Sequence, residues 1–253
     1  MKFIFNNKII DSADPCLEKL NLAPEQSVFE TFKICGGLKP GTLMQHWNRL
    51  FSSAEALGLA IPLELDQNQL DKALDQLLAT TDLSQNYRCK VLMSANFWWI
   101  QLTVLIPLER SIYTLGVVVD DALEERSFPM AKWSWPNYQK YFDHQKQQQV
   151  FETLFFDSSD ILLEGNITSV IAVINGVLVS PEKNVLPGIT VRTVFEKAQH
   201  NQLKTSFRSL SRAELKTASE IILTNAIKGL VPVRAWHDWQ RSSTQVYDQL
   251  KQL

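Results

Sequence analysis

The chain has 253 residues, 45% of them hydrophobic and 21% charged, with a formal net charge of −2. That length exceeds the usual single domain and favours two packed cores, while the slightly negative charge argues against a basic surface for nucleic acid. No run approaches the roughly 20 apolar residues that span a bilayer. The opening MKFIFNNKII lacks the small-residue cleavage site of a leader. Cys16, Cys35 and Cys89 form neither a CxxC pair nor a Cys/His cluster, so no structural zinc is expected and a reducing cytoplasm is the natural setting.

In chain order, Phe3 to Ile10 is an apolar stretch broken at Asn6-Asn7, a dipeptide that suits a hairpin turn. Val28 to Ile34 (VFETFKI) alternates as a strand does, and Gly36-Gly37 stops it. Trp47, Leu50, Ala54 and Leu57 recur every three or four residues, which predicts a helix over His46 to Leu59, closed by Gly58 and Pro62. A second helix is expected near Leu70 to Leu78, then paired strands over Arg88 to Ser94 and Trp98 to Ile106. Pro107 to Thr114 has no amphipathic period and marks a boundary, giving domains 1–110 and 111–253.

Beyond it, Leu115 to Val119 reads as a strand and Tyr138 to Val150 as a polar helix. Short strands follow at Thr153 to Phe156, Ile161 to Leu163, Val170 to Ile174 and Val177 to Val179. Asn175-Gly176 joins the last two as a hairpin. Gly188-Ile189-Thr190 opens a helix through Ala198, Ser211 and Glu214 form a capping box, and Ile221 to Leu223 is a buried strand. Strands and helices mix without a βαβ rhythm, which predicts an α+β fold with mixed sheets and flanking helices.

Three places could carry chemistry. The turn Leu186-Pro-Gly-Ile-Thr190 leads into a helix whose free N–H groups suit an anion such as phosphate; a plain strand-to-helix turn is the alternative. Glu164 ends an apolar run and would need a partner if buried; otherwise it is a surface turn residue. Lys132 lies among Met130, Ala131, Trp133 and Trp135, surroundings that ready an amine as a nucleophile, unless its stem merely covers a Trp.

Four segments in order resemble the fold-type IV pyridoxal-phosphate enzymes, the class IV aminotransferase family. Phe29-Glu30-Thr31 with His46-Trp-Asn-Arg-Leu50, Ser53-Ala54 and Leu57-Gly58-Leu59 is similar to its FET strand and HLxRLxxSAxxLG helix. Leu163-Glu164-Gly165 with Thr168-Ser169-Val170 is similar to its TEGxxSN segment. Val177 to Pro181 with Leu186 to Thr190 is similar to the strand and GIT turn. Thr224-Asn-Ala-Ile-Lys-Gly-Leu-Val-Pro-Val233 is similar to its last motif. The resemblance covers most of the chain, and it implies two domains with pyridoxal 5′-phosphate held between them.

By that resemblance Arg49 binds the cofactor phosphate, with donors from Ile189, Thr190, Asn225 and Ala226. Glu164 pairs with the pyridine nitrogen and makes the ring an electron sink, and Tyr138 meets the phenolic oxygen. Two lysines compete for the covalent link. Lys132 lies 32 residues before Glu164, near the family interval, with Asn137-Tyr138 after it. Lys140 lies 24 before Glu164, inside Lys140-Tyr-Phe-Asp-His144, which resembles the lysine motif of some lyases. Lys132 is preferred. The sequence departs from the pattern at Gln26-Ser27-Val28, where Arg-Gly is usual, at Ser169, where Asn is common, and in the longer stretch between Lys132 and Asn137.

Asn225-Ala-Ile-x-Gly-x-x-Pro-Val is similar to the aminodeoxychorismate lyases, which implies release of 4-aminobenzoate, a folate precursor, and pyruvate from 4-amino-4-deoxychorismate, with Lys132 moving the proton. A branched-chain or D-amino-acid aminotransferase is the alternative. A cofactor-free binding protein of the same fold is the third reading. Family resemblance also implies a homodimer.

Overall fold

The computed structural model describes residues 2–10, 26–63 and 65–253, so Cys16 lies outside the described residues. No helix among them is long and apolar enough to cross a membrane. The chain divides into two compact units, Met1–Pro107 with Met130–Pro136, and Leu108–Pro129 with Asn137–Leu253.

The first unit is built on β1 (Lys2–Phe5), β2 (Lys8–Ile10), β3 (Val28–Ile34), β4 (Tyr87–Met93) and β5 (Trp98–Val104), with helices α1 (Leu43–Ala56) and α2 (Gln67–Leu78). The strands form one antiparallel sheet in the order β2-β1-β5-β4-β3. Asn6 and Asn7 take φ of 41° and 68°, the left-handed pair that a two-residue hairpin turn of this twist demands. Helix α1 begins at Leu43, one turn earlier than periodicity predicts, and buries Trp47, Leu50 and Ala54. Asp66 caps α2 by accepting the Gln69 N–H at 2.7 Å.

Strand β3 buries alternate residues, Val28, Glu30, Phe32 and Ile34. Three are apolar; the carboxylate of Glu30 in that series is the exception that needs a partner. Residues 130–136 run antiparallel beside β3, pairing Val28 with Trp133. The Phe29 N–H donates to the Lys132 carbonyl at 2.9 Å and the Ser134 N–H to the Ser27 carbonyl at 2.8 Å.

The second unit opens with α3 (Arg110–Thr114), where the sequence suggests an irregular stretch; five residues are too few to show a helical period. Strand β6 (Val117–Leu123) starts after Gly116 (φ 86°), later than Leu115, which is exposed. Then come α4 (Tyr138–Gln148), β7 (Glu152–Phe156), β8 (Leu162–Gly165), β9 (Ser169–Ile174), β10 (Val177–Ser180), α5 (Ile189–His200), β11 (Lys204–Phe207), α6 (Arg212–Leu215), β12 (Glu220–Asn225), β13 (Gly229–Trp236), β14 (Trp239–Gln240) and α7 (Gln245–Leu250). The sheet order is β11-β10-β9-β12-β13-β6-β7-β8, with β14 on β13. Pairs β10–β11, β13–β6 and β6–β7 are parallel, and the rest antiparallel, so the sheet is mixed.

One face of this sheet buries Val117, Leu154, Phe156, Leu223 and Trp236. The other packs Ile171, Leu178 and Ile222 on Phe195 of α5. No strand is expected after Ile221 to Leu223; β13 is found there, with Pro232, a residue central strands seldom hold, inside it. The structure accommodates it beside a bulge, where the register to β6 shifts between Val233 and Ala235.

Candidate functional site

In the first unit the site is built around Glu30, which is fully buried. Arg49 closes on it with Nε to Oε1 at 2.6 Å and Nη2 to Oε2 at 2.9 Å. The His46 Nδ1 meets Oε2 at 2.7 Å. Burial alone would push the carboxyl up; the Arg49 charge, the hydrogen bonds of His46 and Arg49 and the nearby Lys132 charge outweigh it and hold the pKa at about 2. His46, Arg49 and Ser53 lie on one side of α1 at helical spacing, which is why one helix can hold all of these partners.

Lys132 is half-buried and fixed through its backbone. Its N–H donates to Ser53 Oγ at 3.0 Å and its carbonyl takes the Phe29 N–H. Its ammonium lies 5.0 Å from the centre of the Phe29 ring. Lys90, which the sequence reading passed over, lies 5.4 Å from the same ring and 5.4 Å from that of Trp99. Burial, helped by the Arg88 charge, lowers its pKa. Two amines therefore lie over the Phe29 ring.

In the second unit Glu164 is buried and not the surface turn residue that the sequence also allowed. Arg126 donates to its Oε1 from Nε at 2.7 Å and again from Nη2, while the Leu186 N–H donates to Oε2 at 3.2 Å. The same guanidinium donates from Nη1 to the Tyr138 hydroxyl at 3.2 Å and from Nη2 to the Pro129 carbonyl at 3.1 Å. Burial opposes the Arg126 charge, but Glu164 and Tyr138 outweigh that and raise its pKa. Arg126 was missed in the sequence because it stands 38 residues before its partner, outside any motif.

Ile189 and Thr190 are the first two residues of α5, whose N-cap, Gly188, offers no side-chain acceptor. The first N–H groups of the helix are thus free for an anion. A Cβ on Gly188 would lie 2.3 Å from Ser169 Oγ, so only glycine lets the helix start so close to β9. Ser169 pairs in turn with Thr224, whose buried hydroxyl has no partner among the described residues. Asn225 builds the next turn: its Oδ1 accepts the N–H groups of Ile227 and Lys228 at 3.0 and 2.7 Å, and its Nδ2 donates to the Ile167 carbonyl at 3.3 Å. Ala226 sits within that turn.

The residues singled out from the sequence therefore fall into two sets. Arg49 and Lys132 belong to the first unit; Tyr138, Glu164, Ile189, Thr190, Asn225 and Ala226 belong to the second. Lys140 sits on α4 with its side chain 63% exposed, 3.6 Å from Glu124 Oε2.

Residues 27–236 match the family described as amino-transferase class IV. Branched-chain-amino-acid aminotransferase-like protein 1 of Arabidopsis thaliana is 24% identical over 229 residues, which cover 82% of this chain; the chain spans 40% of that relative's length. Among solved structures, Escherichia coli branched-chain amino acid aminotransferase superposes with a TM-score of 0.87 at 19% identity, covering 99% of this chain and 92% of the other. A hypothetical aminotransferase from Mycobacterium tuberculosis in its PLP-bound form gives 0.84 at 18%, covering 100% and 96%. The α+β fold with mixed sheets that the sequence resemblance implies is the fold found.

Proposed function

The chain belongs to the class IV aminotransferase family, and on that premise we propose that it is a pyridoxal-phosphate-dependent aminotransferase that moves an amino group between an amino acid and a 2-oxo acid. The observation that carries this reading is the pairing, within one unit, of a buried carboxylate fixed by Arg126 and Leu186 with an uncapped helix start beside the Thr224 hydroxyl, which has no partner among the described residues. The first suits a pyridine nitrogen and the second a phosphate. The PLP-bound relative and the branched-chain names of the other two support the same direction.

Pyridoxal phosphate, when bound, supplies the electron sink. Everything else falls to this chain's own side chains. Glu164 would hydrogen-bond the ring nitrogen, and Arg126 fixes the carboxylate that would do so. Ile189 and Thr190 would offer phosphate donors from the start of α5, while the Arg49 guanidinium, which the sequence resemblance gives to the phosphate, is held on Glu30. Lys132 would provide the amine that holds the cofactor and would move the proton at the amine-bearing carbon of the substrate. Its backbone bonds to Ser53 and Phe29 aim it, whereas Lys140 extends into solvent. Substrate identity as a branched-chain or D-amino acid belongs to this proposal, as does the homodimer, which light scattering on the purified protein tests.

Lyase action on 4-amino-4-deoxychorismate is the second reading, favoured by the segment Asn225 to Val233. Asn225 weakens it, because that side chain is used in its own turn and on the Ile167 carbonyl. Its identity then follows from loop geometry rather than from substrate.

Purified protein supplied with pyridoxal phosphate separates the readings. It would receive a panel of L- and D-amino acids with 2-oxoglutarate or pyruvate and, in parallel, aminodeoxychorismate generated in place by a separate synthase. Amino transfer is the expected result. Release of 4-aminobenzoate without transfer would establish the lyase, and failure to take up the cofactor would leave the binding-protein reading.

A further inference from the structure

Asn166 stands two residues beyond Glu164 and is 2% exposed. Neither its Nδ2 nor its Oδ1 has a hydrogen-bond partner among the described residues. A primary amide offers two donors and a two-fold acceptor, and burying all of them unpaired is costly, so native structures rarely leave such a group without a protein, water or ligand partner. A leucine of similar size would fill the same space without that cost.

The backbone around Asn166 is fixed by hydrogen bonds, which sets where its side chain starts. Its own N–H donates to the Thr153 carbonyl at 3.0 Å, and the Gly165 N–H to the Thr168 carbonyl at 2.8 Å. The Ile167 N–H reaches Glu152 Oε2 at 3.4 Å, and the Ile167 carbonyl takes the Asn225 amide. The backbone on both sides of Asn166 is thus hydrogen-bonded, while its amide has no partner among the described residues. Position adds to the case. Residues 165–169 run from Glu164, the partner of the ring nitrogen, to Ser169, which abuts the Gly188 start of α5. The buried hydroxyl of Thr153, whose carbonyl takes the Asn166 N–H, also has no partner among the described residues.

We infer that Asn166 is a further binding residue of this site, donating from Nδ2 to an anionic oxygen of the bound ligand, either the cofactor phosphate or the substrate carboxylate. This rests on the reading that Glu164 and the start of α5 hold pyridoxal phosphate. An amide kept for ligand at the expense of the empty protein predicts opposite effects on stability and binding when it is removed.

The test compares wild type with N166L, N166D and N166S. Thermal unfolding is measured without cofactor, the cofactor dissociation constant by absorbance titration, and substrate saturation by titrating the loaded protein with the amino acid it transaminates. N166L should melt above wild type when empty, yet bind more weakly by tenfold or more. A loss in the cofactor titration assigns the amide to phosphate; a loss only in substrate saturation, with cofactor binding intact, assigns it to carboxylate. N166D, which places a negative charge of the same shape there, should lose at least as much as N166L, and N166S should lose part. Should N166L fail to fold, N166D and N166S carry the comparison. Wild-type values for both ligands in all folded variants would overturn the inference and leave the amide facing ordered water. A wild type that binds no cofactor would instead remove the reading beneath it.

Discussion

The Ser53 hydroxyl accepts the backbone N–H of Lys132 at 3.0 Å, one helical turn on from Arg49, whose guanidinium closes on Glu30 at 2.6 and 2.9 Å. A single helix thus fixes both the backbone of Lys132 and the guanidinium that neutralises Glu30. Replacing Ser53 by Ala removes the partner of a part-buried N–H, which costs about 1 kcal/mol. S53A should lower the melting temperature of the empty protein and slow cofactor capture in proportion to such a cost. Stopped-flow absorbance during cofactor addition measures the second effect. Capture at the wild-type rate would show that Lys132 is aimed by other contacts.

Glu30 makes the first unit acid-sensitive. Its carboxyl is lowered from 4.5 to about 2 in the folded protein. A depressed carboxyl contributes stability that is present above pH 4.5 and lost as the pH falls through 2; a shift of this size corresponds to about 3 kcal/mol. Urea unfolding at pH 7, 4 and 2.5 should show the loss concentrated in the lower interval. E30Q should be less stable than wild type at pH 7, since Arg49 then sits buried without its counter-charge, and its stability should fall less on acidification. Parallel acid profiles for the two proteins would contradict this.

Arg126 and Glu164 behave as a buried pair, so removing one partner differs from removing both. R126L strands the carboxylate and should cost about 3–5 kcal/mol. The double variant R126L/E164L should recover most of that stability by packing apolar groups in the same space, yet fail to bind pyridoxal phosphate. Unfolding curves and cofactor titration on the three proteins check both halves. A double variant that binds cofactor normally would remove Glu164 from the site.

Gly188 has room for no side chain, because a Cβ would lie 2.3 Å from Ser169 Oγ. G188A should push α5 away from β9 and weaken cofactor binding, and adding S169A should restore part of it. A titration that shows no rescue would place the fault in the backbone rather than in this contact.

The sequence made the elements legible wherever periodicity ran long, as in α1, or turn chemistry was specific, as at Asn6-Asn7 and Asn175-Gly176. It missed β13, whose Pro232 masks a central strand, and α3, too short for a period. The motif residues were visible by type, but their partners were not. Glu30 was legible as part of a strand motif without its clamp on Arg49, and Ser53 without its hold on Lys132. Arg126 and Asn166 gave no local signal, because what marks them is a long-range ion pair in one case and a missing partner in the other.

The central claim, that Lys132 carries pyridoxal phosphate, is tested most directly by borohydride reduction of the cofactor-loaded protein followed by peptide mass spectrometry. The account predicts the reduced cofactor on Lys132, with K132A unlabelled and K140A labelled as wild type. Label on Lys140, or none on wild-type protein, would contradict it.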